Sequence, residues 1–205
     1  MSSPKQDIHR MFDNLYKVFS SKRFLMKEGL NNEIPFFIQP FAPKQQVEVD
    51  AQIKHLIKRL GVEGIEVLEI NLYQLCINIL KEQDVLEVSL DSEKEQSKSD
   101  FLEALLGPLN IEEEVIPHLK NLIDKENKHI IFLTGIGSVF PVIRSHTILN
   151  NLQKLIKTIP LVMFFPGDYN NFSLSIFGKL KDENYYRALN LNDYKIWLCC
   201  KRNST

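Results

Sequence analysis

Four short apolar runs alternate with longer amphipathic segments, and this alternation limits the possible folds more than any other feature of the chain. The runs are EIPFFIQPF (33–41), IEVLEINLY (65–73), HIIFLTG (129–135) and PLVMFFPG (160–167). They are too short for ordinary helices, and their apolar cores suit strands buried on both faces. Between them, apolar residues recur at helical spacing. Val49, Ile53, Leu56, Ile57 and Leu60 form one such face, with Gly61 as its stop, and Ile148, Leu149, Leu152, Leu155 and Ile156 form another, in a helix expected to run to about Lys157. The expected fold is α/β, a mostly parallel sheet flanked by helices. A fifth strand, FSLSIFG (172–178), follows after GDYNN alone. So short a link cannot carry a parallel crossover, so a C-terminal hairpin is expected. The architecture is also that of a nucleotide-binding fold that has lost its chemistry.

The chain has 205 residues, which fits one domain that buries its own core. That domain is expected over 1–191, with a tail at 192–205. EQDVLEVSLDSEKEQSKSD (82–100) reads as an acidic loop or insertion: residues 81–100 hold seven Asp/Glu against three Lys/Arg. The N-terminal segment carries Ser3, Pro4 and Gln6 in capping-box order, then Ile8, Met11, Phe12, Leu15, Val18 and Phe19 on one helical face. A formal net charge of -1 gives no general attraction to nucleic acid or anionic membrane, and no sequence-specific DNA binding is expected. The three cysteines form no C-x-x-C pair, so neither a disulfide framework nor a zinc ribbon is expected. No run reaches the ~18 apolar residues of a membrane span, and MSSPKQDIHRMF lacks a signal-peptide core. A reducing cytoplasm is the expected setting.

Chemistry is sought first where strands end, because parallel sheets bind ligands at their carboxyl edge. Thr134, Gly135, Gly137 and Ser138 form a turn there, and Arg144 follows; together they are a candidate anion- or nucleotide-facing turn. The phosphate-loop pattern is missing, and HIIFL and LVMFF end in Thr-Gly and Pro-Gly instead of a Mg²⁺-holding carboxylate. Hydrolysis is therefore not expected. The serine of GIGSV sits one place late for a nucleophile elbow, and His118, His129 and His146 share no metal-ligand spacing. No catalytic residue, metal or cofactor is assigned. Arg144 is paired in this reading with Asp168, from the neighbouring strand end, as a structural ion pair. Tyr185, Tyr186 and Arg187 are candidate partner-binding residues, because aromatic and arginine side chains dominate interface energies.

The stretches SSKRFLMKEGLNNEIPFFI, VLEINLYQL, FLTGIGSVFPVIRSHTILNNLQ, PLVMFFPGDYNNFSLSIFG and NYYRALNL resemble the BrxB family. The resemblance runs from about Phe24 to Leu191. Family members often carry Gly where Asn171 stands, and Asn also tolerates a left-handed turn conformation. The resemblance implies membership of a BREX phage-defence system and a role as a non-catalytic adaptor. PglZ, a phosphatase-like protein, is its first expected partner and the ATPase BrxC its second. The alternative is a regulatory module that binds nucleotide at the 134–138 turn without hydrolysing it.

Overall fold

The computed structural model describes residues 7–26, 36–126, 128–171, 173–182 and 188–194. Its frame is a parallel sheet built from β1 (Phe36–Phe41), β2 (Val67–Asn71), β3 (Ile130–Thr134), β4 (Leu161–Tyr169) and β7 (Leu189–Asn190), in the order β2-β3-β4-β1-β7. β4 then continues antiparallel with β5 (Leu174–Ile176), which pairs with β6 (Leu180–Asp182). The expected α/β sheet with a hairpin is what the chain forms.

Burial on both faces follows the two-residue period of the strands. Phe36, Ile38, Ile131, Leu133, Leu161, Met163 and Phe165 point into one hydrophobic layer. Phe37, Phe41, Ile130, Phe132, Val162 and Phe164 point into the other. The first layer is closed by α4 (Leu72–Glu82), α7 (Ile116–Lys125), α8 (Ile136–Val139) and α9 (Ser145–Leu155). The second is closed by α1 (Ile8–Phe19), α2 (Lys22–Leu25) and α3 (Gln46–Val62).

α1 buries every residue of its predicted apolar face against this core. Its N-cap is Asp7, whose carboxylate accepts a hydrogen bond from the Arg10 backbone N–H at 3.2 Å. The Ser3-Pro4-Gln6 signal lies outside the described residues. Aromatic rings join the helix to the sheet. Phe19 packs 5.3 Å from Phe132 and 5.0 Å from Phe24, and Phe24 packs 4.8 Å from Phe37. On the outer side, Arg59 of α3 lies 4.0 Å over the Tyr16 ring and reaches Asp13 at 3.0 Å. The Tyr16 hydroxyl donates to Glu63.

Two expectations are corrected. The acidic stretch is helical, forming α5 (Leu86–Ser92) and α6 (Lys98–Leu106), capped in part by Ser97, which accepts from Asp100 N. Neither helix contains a fully buried residue, and charge and polarity concealed the periodicity of α5. The single helix expected after β3 is two, because Pro141 lacks the N–H that a continuous helix needs. A cis peptide joins Phe140 to Pro141 in the break.

Because Phe24 is fully buried and touches Phe19, Phe37 and Tyr194, Phe24→Ala should cost about 3–5 kcal/mol in denaturant unfolding. A loss below about 1 kcal/mol would mean that α2 is not part of the folding core.

Candidate functional site

The carboxyl ends of β2, β3 and β4 meet in one region, and the Thr134–Ser138 turn lies in it. Thr134 is buried, and its hydroxyl donates to Glu69 on β2 at 3.1 Å. Gly135 adopts the left-handed region at φ 73, and a Cβ there would sit 2.5 Å from Asn71 Oδ1 and 3.1 Å from Tyr73 N. Asn71 is itself committed, accepting from Gln74 N at 3.1 Å as the cap of α4. Gly137 is packed from the other side: its Cβ would lie 2.9 Å from Pro166 Cγ and 3.1 Å from the Phe177 ring. Both glycines thus have a steric reason to be glycine. Ser138 is exposed, and its N–H donates to Gly135 O at 3.1 Å. α8, which the turn feeds, is four residues long, so few peptide dipoles align there.

Arg144 and Asp168 do not form the expected ion pair. Among the described residues, the ion pairs are Arg59–Asp13, His118–Glu82 and Lys128 with Glu66 and Glu126. Arg144 is exposed at the start of α9. Asp168 is exposed on β4, where its carboxylate faces the turn between β5 and β6, 3.3 Å from the position of a Gly178 Cβ. Proximity to strand ends in the sequence did not make them partners.

The hairpin tip presents an exposed apolar surface. Phe177 is 39% exposed and Leu180 50% exposed, with Tyr73 (50%) on the first turn of α4. Phe177 also stands at φ 56, a conformation unusual for a bulky residue, and Gly178 follows at φ 67. Its ring meets Phe140 edge-on at 6.3 Å. Tyr185, Tyr186 and Arg187 lie outside the described residues.

Carboxamides fasten the other end of the sheet. Asn190 donates from Nδ2 to Tyr169 O at 2.7 Å, and its backbone N–H donates to Asn171 Oδ1 at 3.0 Å. Asn171 stands at φ 69 and donates to Asp193 at 2.8 Å, while the Tyr169 hydroxyl donates to Ala188 O at 2.7 Å. Gln39, 1% exposed on β1, donates to Asn192 Oδ1 at 3.2 Å. Sequence reasoning missed Gln39. Its signal was a lone polar residue inside FFIQPF. Among the described residues, no three His, Cys, Asp or Glu side chains gather to hold a metal. Nor is any described helix long and apolar enough to cross a membrane.

Two substitutions check this geometry. Gly135→Ala should destabilise by about 1–3 kcal/mol, since it meets both a left-handed backbone and Asn71. Arg144→Ala should leave unfolding within about 0.5 kcal/mol of the parent, as for exposed sites generally. An Arg144→Ala loss of several kcal/mol would point to a buried partner instead.

A family model described as BREX protein BrxB matches residues 68–191. The BREX protein BrxB of Bacillus cereus (strain H3081.97) is 37% identical over 190 residues, covering 91% of this chain and 98% of the relative. That of Escherichia coli O9:H4 (strain HS) is 30% identical over 169 residues, covering 82% and 84%. No solved structure matches. By both the family model and these near full-length similarities, the chain belongs to the BrxB family of BREX proteins.

Proposed function

We propose that this chain is a cytoplasmic, non-catalytic adaptor of a BREX phage-defence system, with PglZ as its first partner and BrxC as its second. Membership of the BrxB family supports the system. The observation that carries the adaptor reading is Phe177. A left-handed conformation costs a residue with a Cβ about 1–2 kcal/mol, and hairpin turns that need it favour Asn or Gly. Here the position is held by an exposed phenylalanine next to exposed Leu180. Strain retained at an exposed aromatic is reason to look for a role in recognition. Large apolar side chains of this kind anchor interfaces, and the tip is rigid because Phe177 rests on Gly137 and Phe140. Tyr185, Tyr186 and Arg187 are proposed as further partner contacts, on the interface preference of tyrosine and arginine alone.

Pairwise co-expression with PglZ and with BrxC, followed by sizing of the complexes, tests the reading. The parent chain should co-purify with PglZ. Phe177→Asn with Leu180→Ser should abolish that complex while the melting temperature stays within about 5 °C, because Asn suits the turn and both side chains are exposed. Alanine at Tyr185, Tyr186 and Arg187 in the otherwise parent chain should weaken it. Failure to recover either partner with the parent chain would overturn the adaptor role. A PglZ complex that survives every one of these substitutions would remove this surface.

A further inference from the structure

Parallel sheets bind ligands outside the carboxyl ends of their strands, where neighbouring strands send their connections to opposite faces. In this fold that point lies between β1 and β4. β1 leads into α3 in the layer of α1, while β4 leads into a hairpin whose Leu174 and Ile176 join the opposite layer. On the other side of β1, towards β7, a cleft of about 470 Å³ separates α1 from β1 and the chain after β7. That volume falls within the range of small-molecule sites.

The cleft has an apolar floor, which includes Met11, Leu15 and Leu191. Two polar groups on its lining have unused capacity. Gln39 donates from Nε2 to Met11 Sδ, Pro40 O and Asn192 Oδ1, whereas its Oε1 accepts no hydrogen bond from the described residues. The Tyr194 hydroxyl is buried and has no hydrogen-bond partner among the described residues. Burial raises the Tyr194 phenol above its ordinary pKa against an opposing effect of Arg23, so the hydroxyl keeps its proton at neutral pH. Unpartnered buried polar groups cost free energy that a guest with matching groups would recover.

Charge supplies the other half. Arg10 and Lys17 line the cleft and enter no ion pair among the described residues. They stand two turns apart on α1, about 10 Å along its axis. Asp7, the acidic residue of the lining, already accepts the Arg10 backbone N–H as helix cap.

We infer that this cleft binds a purine nucleotide. Its ring would lie against the apolar floor, its amino or imino N–H would meet Gln39 Oε1, and its phosphate would meet Arg10 and Lys17. A planar ring with N–H donors satisfies the free glutamine oxygen, and a phosphate is the natural complement of two uncompensated cations. The site is separate from the 134–138 turn and from the hairpin tip, so it stands or falls independently of the adaptor role.

Isothermal titration of the full chain with AMP, ATP, GMP and inorganic phosphate tests it. At least one nucleotide should bind saturably at one site, and inorganic phosphate alone should not. Arg10→Glu combined with Lys17→Glu should weaken that binding about tenfold or more with no loss of fold. Tyr194→Phe should weaken it severalfold without lowering the melting temperature, because the deleted hydroxyl makes no hydrogen bond to the described residues. Absence of saturable binding by all three nucleotides overturns the inference. So does binding that the double charge reversal leaves undiminished.

Discussion

β4 is the strand on which the rest of the structure depends. A backbone buried on both faces has no water to satisfy it, so its N–H and C=O groups must pair along both edges. β4 does this with β3 on one side and β1 on the other, and its Leu161–Phe165 segment is buried throughout. Where the parallel pairing ends, at Pro166, the strand changes partner instead of stopping. Gly167, Asp168 and Tyr169 pair antiparallel with Ile176, Ser175 and Leu174. Proline lacks an N–H to offer the ladder, and its carbonyl is used by Phe177 N at 2.9 Å. At Gly167, a Cβ would collide with Ser175 O. The pair Pro166–Gly167 thus converts one continuous strand from the parallel to the antiparallel part of the sheet.

The elements with apolar cores were legible in the sequence because burial leaves a plain mark on them. β3 and β4 appear as uninterrupted hydrophobic runs and β1 as a run broken only by Gln39, and the short link after Gly167 forces a hairpin. Strand order was not legible. β1 sits between β4 and β7, far from β2 in the sheet, and nothing local in Phe36–Phe41 encodes that placement. β7 pairs through only two residues and is held by side-chain amides, which have no periodicity to read. α5 was hidden for the opposite reason: it buries too little for a stripe to stand out.

Residues of functional interest were less legible than the fold. The 134–138 turn was found where the sequence placed it, but its packing against Asn71, Tyr73 and Phe177 depends on two other segments of the chain. Arg144 and Asp168 looked adjacent because each follows a strand end, yet both are exposed and they form no ion pair. Gln39 and Tyr194 come together from positions 155 residues apart in number and carry no shared motif. Such convergence is a property of the sheet order, and so it became visible only with the fold.

Gly137 and Phe177 form a ball-and-socket joint between the β3 turn and the hairpin. The socket exists because residue 137 has no side chain, and the ring fills the space that a Cβ would take. The two positions are therefore thermodynamically coupled although they lie 40 residues apart. Their substitutions should not be additive: enlarging one is tolerable only where the other shrinks. Among homologous chains, a side chain at the first position should travel with a smaller one at the second. Any force transmitted to the hairpin by a bound protein would reach the end of β3 through this contact.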